Sequence, residues 1–351
     1  MSTWRTAVTF AQVRSVGMSA DAGAGVAEIA VSGDRLADAI ELLVQSGFRL
    51  DSIEPADAPA IAMLSGHGLR VRLDGSASST RASQPHSGAP TLELTRAGDA
   101  GGVGRAGMRY RDVLPSRHGG RFIASHISID EAGPVADYVH HHDVSVQVIY
   151  CLRGWVRVVY EDQGPPFVLE AGDCVLQPPG IRHRVLESSA GLEVLEFTSP
   201  AHHTTMVEHE LTLPTPTHRP DRRFDGQRFV RHRAADASWG RWWRDSGQAR
   251  DAGIGAATGG QVGVRAVRPS ISDGARPASH DGELVLWFVL DGAATLQAEG
   301  RPDGRLTRND VVAIPPQIEH ALVGCSGDLE LVEVTCPDTP NVSSLSPRPP
   351  M

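Results

Sequence analysis

Four residues in the middle of the chain have the types and the spacing of a metal site: His140, His142, Gln147 and His183. Residues two apart in a strand point to the same side, so His140 and His142 can enter one interior together. Gln147 lies an odd number of residues further on and needs a bend or bulge to rejoin that face. A turn of glycine and proline before His183 can return the chain to the same interior. Three imidazoles and an oxygen ligand suit Fe(II), Mn(II), Ni(II), Cu(II) or Zn(II).

These residues resemble the two sequence motifs of the cupin superfamily. The first motif is a glycine, His-x-His, four residues, glutamate, six residues and a glycine. The chain places Gly133, His140, His142, Gln147 and Gly154 at these positions. Gly133 lies one residue further upstream than the motif requires. The second motif is Gly-x5-Pro-x-Gly-x2-His; the chain matches it throughout, at Gly172, Pro178, Gly180 and His183. The resemblance implies a β-barrel that binds one divalent metal, with Fe(II) as the favoured ion.

Gln147 stands where the family has glutamate. A neutral amide leaves the site one charge more positive, so we expect weaker metal retention, a more Lewis-acidic ion and a preference for a substrate that carries negative charge. Two alternatives stay open. Either Gln147 is a ligand, or the three histidines alone hold the ion.

The chain repeats this arrangement in its second half. The run GELVLWFVLDG followed by NDVVAIPPQIEH parallels the metal-site region, and together the repeats predict two tandem barrels. Ala278 and Val285 replace the first histidine and the acid of the motif, whereas His280 and His320 are kept. A second metal set of His280, Glu283 and His320 is one interpretation. The favoured interpretation is a degenerate barrel kept for packing and pairing.

His126 is the candidate acid–base residue. It lies in the strand-like run FIASHISI and shares its parity with Phe122 and Ala124, so it either lines the pocket or is a core histidine. The sequence leaves these two alternatives open.

The predicted fold is mainly β: two tandem cupin barrels (double-stranded β-helices) preceded by a small α+β domain. In that domain, runs at Val26 to Val31 and from Phe48 to Leu73 flank a helix at about Asp34 to Ser46. This β-α-β-β-β order resembles half of a vicinal-oxygen-chelate (glyoxalase-like) domain. The predicted divisions are 1–75 for the small domain, 76–107 for a flexible linker, 108–213 for barrel 1, 214–227 for a second linker, 228–337 for barrel 2 and 338–351 for a loose tail.

Composition excludes several classes of function. The chain of 351 residues has a formal net charge of −9 and no concentrated basic stretch, which argues against nucleic acid and anionic membranes as partners. It contains no lysine, so it can have no Schiff-base or phosphate-loop lysine. No run is long and apolar enough to span a bilayer, and the N-terminus lacks the apolar core of a signal peptide. Four cysteines without CxxC spacing predict reduced thiols and a cytoplasmic location.

Three functions fit these observations. The first is a metal-dependent oxidoreductase, a non-haem dioxygenase acting on a small anionic or enolisable organic molecule. The second keeps the metal as a Lewis acid in a lyase or isomerase that does not use O₂. The third is a metabolite-binding bicupin without catalysis. The sequence favours the first over the second, and pairing of barrels predicts a homodimer.

Overall fold

The computed structural model describes residues 13–14, 26–55, 59–75, 89–244, 247–270 and 277–344. Strands dominate these residues, as predicted. No helix among them is long and apolar enough to cross a membrane.

The N-terminal region contains the predicted β-α-β-β-β order. Its elements are β1 (Val13–Arg14), β2 (Val26–Ala30), α1 (Leu36–Gln45), β3 (Arg49–Glu54), β4 (Ile61–Gly66) and β5 (Leu69–Asp74). Leu36 of α1 is buried against the sheet, and the chain leaves the helix through Gly47, whose φ of 92° favours glycine. The resemblance to a vicinal-oxygen-chelate half-domain stays a prediction.

The first barrel follows after β6 (Glu93–Thr95). Its elements are β7 (Gly102–Val103), β8 (Arg109–Asp112), the single turn α2 (Arg117–Gly120), β9 (Ile123–Ile129), β10 (Gly133–Pro134), β11 (His140–His142), β12 (Val146–Arg153), β13 (Trp155–Tyr160), β14 (Phe167–Glu170), β15 (Cys174–Gln177), β16 (His183–Ser188), β17 (Leu192–Ser199) and β18 (Thr205–Val207). One sheet has the order β18-β11-β16-β13-β14, with β10 also on β16, and the facing sheet has the order β15-β12-β17-β9-β8-β7. The first sheet continues through β3 into the N-terminal region, because β18 pairs with both β11 and β3.

A second barrel repeats this design. After β19 (Arg223–Phe224), β20 (Gln227–Arg228) and β21 (Val230–His232), its elements are β22 (Gly240–Arg241), β23 (Gln248–Asp251), the single turn α3 (Ile254–Ala257), β24 (Gly263–Arg268), β25 (Ala278–His280), β26 (Leu284–Asp291), β27 (Ala293–Ala298), β28 (Gly304–Thr307), β29 (Val311–Ile314), β30 (His320–Val323), β31 (Glu330–Cys336) and β32 (Val342–Ser344). The two sheets have the orders β22-β23-β24-β31-β26-β29-β6 and β28-β27-β30-β25-β32.

Two strands pair across the predicted domain divisions. The strand β6, within the segment predicted as a flexible linker, pairs with β29 of the second barrel. The strand β21, beyond the predicted start of the second barrel, pairs with β15 of the first. Each barrel therefore includes one edge strand from outside its own stretch of chain. The second barrel takes β6, which precedes the first barrel, and the first barrel takes β21, which precedes the other strands of the second. Part of the predicted linker is an ordered strand.

The two barrels share a hydrophobic core. The face of β12 and β17 that carries Tyr150 and Phe197 packs against the face of β26 that carries Phe288, and all three side chains are buried. Each such side chain contributes about 1.5–3 kcal/mol when it leaves water. Both faces of these strands are consequently buried, one inside a barrel and the other between the barrels.

Candidate metal centre

Three predicted ligands converge inside the first barrel. His140 of β11 lies directly opposite His183 of β16, and His142 is two residues along β11 on the same face. The ring centroids lie 4.2 Å apart for His140 and His183, 5.0 Å for His140 and His142, and 5.3 Å for His142 and His183. One ligand atom from each ring lies within 4.8 Å of the others. This spacing fits three ligands around one ion.

The Nδ1 atoms of the three rings have polar neighbours, which leaves Nε2 for a metal. Nδ1 of His140 donates to the Tyr138 carbonyl at 2.8 Å, and Nδ1 of His183 donates to the Ile181 carbonyl at 3.0 Å. Nδ1 of His142 lies 3.0 Å from Oγ1 of Thr205. Nε2 of His140 is buried without a hydrogen-bond partner among the described residues. A metal ligand of this kind ordinarily has its second nitrogen fixed by such a partner, so the donor set fits a divalent ion.

The three imidazoles are held neutral. Burial lowers the pKa of each, and for His183 it brings the value to about 3. The Arg105 guanidinium adds to the lowering for all three. Neutral imidazole is the form that binds a metal, so binding would need no proton release at neutral pH.

Gln147 reaches the same interior by a route that differs from the predicted one. Residues 143–145 carry the chain from the sheet that holds β11 to the facing sheet that holds β12. No bulge is needed, because Gln147 lies in a different strand and a different sheet from His142. The odd number of residues between them therefore does not determine which way the Gln147 side chain points. Its Nε2 donates to Oε1 of Glu196 on β17. This contact directs Nε2 to Glu196 and leaves the amide oxygen available to a metal.

A small cavity of about 70 Å³ adjoins the site. Gln147, His142 and His183 line it together with Glu196 and Arg105, and the remaining lining is largely apolar. A cavity of this size holds only a few water molecules or a ligand of a few non-hydrogen atoms. The cavity therefore presents a carboxylate, a guanidinium and two neutral imidazoles to a small molecule.

Arg105 and Glu196 were missed in the sequence. Arg105 lies in a glycine-rich run that the sequence predicts as part of a linker, and no pattern there indicates a buried side chain. It forms an ion pair with Asp137, whose side chain is fully buried. Glu196 could have been found, because the run LEVLEFTSP that contains it recurs as LELVEVTCP in the second repeat. The second copy places Glu333 at the equivalent position.

His126 does not lie in the cavity, which corrects its assignment as an acid–base residue of the pocket. Its neighbours Ile127 and Ile129 line the cavity, so His126 points to the opposite face of β9. There Nε2 lies 3.0 Å from Oε2 of Glu193, and the ring lies 5.5 Å from that of Phe288 in the second barrel. The position of His126 therefore fits the alternative of a core histidine, since both faces of β9 are buried.

Comparisons with known proteins agree with this architecture. The cupin domain family Cupin_2 matches residues 127–198, the region of the three histidines. Residues 127–198 thus match the cupin domain family, and the two tandem barrels have the bicupin fold.

Solved structures of oxalate decarboxylase have a similar fold. A serine-to-alanine variant of oxalate decarboxylase from Bacillus subtilis has 13% sequence identity and a TM-score of 0.52, over 76% of this bicupin and 82% of that chain. A tryptophan-to-phenylalanine variant of the same enzyme has 14% identity and a TM-score of 0.53 over the same shares. No curated protein matches the bicupin in sequence. These likenesses establish the fold.

The second barrel of the bicupin does not assemble the proposed set of His280, Glu283 and His320. The two histidine rings are buried 6.0 Å apart, but the Glu283 carboxylate forms an ion pair with Arg121 near the contact between the barrels. Within the described ranges, the group of three or more His, Cys, Asp or Glu side chains with converging ligand atoms is that of the first barrel. Glu283 follows His280 closely in the chain, but its carboxylate does not join the two histidines.

Tryptophan side chains fill the interior of the second barrel. Glu333 is fully buried, and its carboxylate accepts hydrogen bonds from the indole N–H groups of Trp287, Trp242 and Trp243 at 2.9, 3.0 and 2.6 Å. Trp287 lies against His320, with ring centroids 5.4 Å apart. These three tryptophans therefore pack around the residue equivalent to Glu196.

Proposed function

We propose that this bicupin is a metal-dependent lyase that acts on a small organic acid. One divalent ion would be held by the Nε2 atoms of His140, His142 and His183 and by the amide oxygen of Gln147. The observation that carries the proposal is this neutral donor set beside a carboxylate and a guanidinium in one small cavity. Mn(II), Fe(II), Ni(II), Cu(II) and Zn(II) all suit such donors.

The two charged residues of the cavity lining, Arg105 and Glu196, each have a role in this proposal. The ion supplies Lewis-acid polarisation of a substrate oxygen when it is bound. Arg105 contributes positive charge that favours an anionic substrate, while Asp137 holds the guanidinium in place. Glu196 holds the Gln147 amide and can give or take a proton at its carboxylate. The apolar walls exclude bulk water, which strengthens these interactions.

Lewis-acid chemistry is favoured over oxygen chemistry by the charge of the site. Gln147 adds no negative charge, so the ion would keep more of its positive charge for polarising a substrate than it would beside a carboxylate ligand. The oxalate decarboxylases of similar fold act on a small carboxylic acid, and the cavity volume supports a substrate class of that size.

A dioxygenase that uses Fe(II) is the second candidate function. The observation in its favour is the largely apolar lining of the cavity, which would admit O₂ beside a three-histidine site. The metabolite-binding alternative has no separate observation that favours it.

One experiment separates these functions. Tag-free protein is purified anaerobically, its metal content is measured by mass spectrometry, and organic acids of two to four carbons are assayed with and without O₂. We expect about one equivalent of metal and equal turnover without O₂. Turnover that requires O₂ and consumes it would establish the dioxygenase instead, and substrate binding without bound metal would leave a binding protein.

The matched variants lie on one strand. His140→Ala removes a ligand, whereas His141→Ala changes the residue between the two ligands, whose side chain has the opposite parity. We expect metal loss in the first variant only. The predicted homodimer is checked in the same preparations by light scattering.

A further inference from the structure

Gln177 is a buried amide that the proposed chemistry leaves unused. It ends β15 directly opposite Gln147 of β12, so the two side chains point to the same inward face. Its exposed fraction is 4%, and it lines the same cavity as His183 and Glu196. A polar side chain therefore faces the cavity from the wall beside the metal residues.

Tyr160 fixes the orientation of this amide. Nε2 of Gln177 donates to Oη of Tyr160 at 2.8 Å. The Tyr160 ring stacks on His183, with centroids 5.6 Å apart and an interplanar angle of 26°. Burial raises the pKa of Tyr160 far above its usual range, so the phenol stays neutral. With its nitrogen bound to this buried partner, Gln177 has its amide oxygen left for another contact.

That oxygen has no donor in the described part of the chain. Oε1 of Gln177 is buried and accepts no hydrogen bond there. A buried carbonyl oxygen without a donor is unfavourable unless a ligand or a water molecule supplies one. Gln147 differs in this respect, because the proposed function already assigns its oxygen to the metal.

We infer that Oε1 of Gln177 accepts a hydrogen bond from a substrate hydroxyl, so that the substrate is a small hydroxycarboxylate. The inference rests on the proposed function, which supplies the ion and Arg105 as the groups that bind the carboxylate. A fully ionised dicarboxylate offers only acceptors and would place its lone pairs against this oxygen. A molecule with one carboxylate and one hydroxyl satisfies both Arg105 and Gln177.

The test compares acids that differ by one hydroxyl. The metal-loaded full-length protein is titrated calorimetrically with 3-hydroxypropionate and propionate, and with glycolate and acetate. We expect each hydroxy acid to bind about tenfold to a hundredfold more tightly than its partner. Glycolate can also chelate the ion, so the 3-hydroxypropionate pair is decisive. Gln177→Met removes the acceptor, and the ratio for that pair should fall to about one.

Two control variants accompany these titrations. Gln177→Glu keeps an acceptor oxygen, so it should retain the preference for the hydroxy acid while its charge weakens binding of both acids. Gln227 is also a buried glutamine whose carbonyl oxygen has no donor among the described residues, but it lies outside the cavity lining. Gln227→Met should therefore leave the affinity ratio unchanged.

The outcomes separate this inference from the proposed function. A ratio near one in the wild-type protein overturns the inference even if Gln177→Met does not fold. A ratio that is the same in wild type and Gln177→Met also overturns it and indicates that water occupies the acceptor, while metal-dependent acid binding stands. Failure of the metal-loaded protein to bind any of the four acids overturns the proposed substrate class and the inference with it.

Discussion

Removal of the negative charge at Asp137 should destabilise the first barrel strongly. Its side chain is fully buried, pairs with Arg105, which is 10% exposed, and accepts the backbone N–H of Val185 at 2.9 Å. Burial lowers the pKa of Arg105, but Asp137 and neighbouring groups outweigh this effect and raise it above its ordinary value. Asp137→Asn keeps the shape and an acceptor oxygen but leaves a buried guanidinium without its counter-charge.

The expected loss is about 3–5 kcal/mol, the usual consequence of leaving one partner of a buried ion pair uncompensated. An exposed pair provides the comparison: Arg157 and Glu187 lie 3.3 Å apart with side chains 47% and 37% exposed. Solvent screens that pair, so Glu187→Gln should cost less than about 1 kcal/mol.

The assay is urea unfolding of the full-length protein in chelator, followed by circular dichroism. The double variant Asp137→Asn/Arg105→Met should recover most of the loss, since it also removes the uncompensated charge. The reasoning is refuted if Asp137→Asn loses no more stability than Glu187→Gln, or if the double variant is less stable than the single one. Metal affinity should fall with the Asp137 change, because an unpaired positive charge then lies near the site.

Three further predictions concern the interiors of the two barrels. Burial lowers the pKa of the three histidines in the metal-free protein, for His183 from 6.5 to about 3. Between these two pH values the unfolded chain binds more protons than the folded chain. The free energy of unfolding should therefore be highest above pH 6.5 and should decline as the pH falls towards 3. Urea midpoints in chelator at pH 7.5, 6 and 5 should show this decline, with a shallower slope in His183→Leu, and a flat profile would contradict it. Thr205→Val should weaken metal binding about tenfold to a hundredfold by removing the partner of the His142 Nδ1, whereas Thr205→Ser should retain affinity in a competition titration with a chelating dye. Trp287→Phe removes one of three indole donors from buried Glu333. Thermal unfolding should show a loss of about 1–3 kcal/mol in the free energy of unfolding, with no change in metal content. An unchanged melting temperature would refute the role of that hydrogen bond.

Local geometry explains why the convergence of the three histidines could be predicted. His140 and His142 share a face because side chains alternate along a strand, and the turn through Pro178 and Gly180 returns the chain so that His183 lies opposite His140. Both relations depend on short stretches of sequence. The repeat likewise predicted two barrels, and the absence of a histidine at Ala278 predicted that the second one differs.

The sequence could not show which buried face of a strand looks into a barrel. His126 and Ile127 lie on opposite faces of β9, and both faces are covered, one by the barrel interior and the other by the neighbouring barrel. An alternation of polar and apolar residues identifies the solvent face only when one exists. The choice between the two alternatives for His126 therefore depends on the packing of two barrels, which is a tertiary property.

The sequence by itself thus indicated the cupin motifs, the convergence of His140, His142 and His183 and the tandem repeat, because these depend on spacing within a strand or a turn. Only the tertiary structure decided that Arg105 and Glu196 lie at the site, that Glu283 does not belong to a second one, and that β6 and β21 cross between the barrels. Contacts between residues far apart in the chain depend on how whole sheets pack and on which buried charges find partners. A short sequence pattern does not determine these long-range contacts.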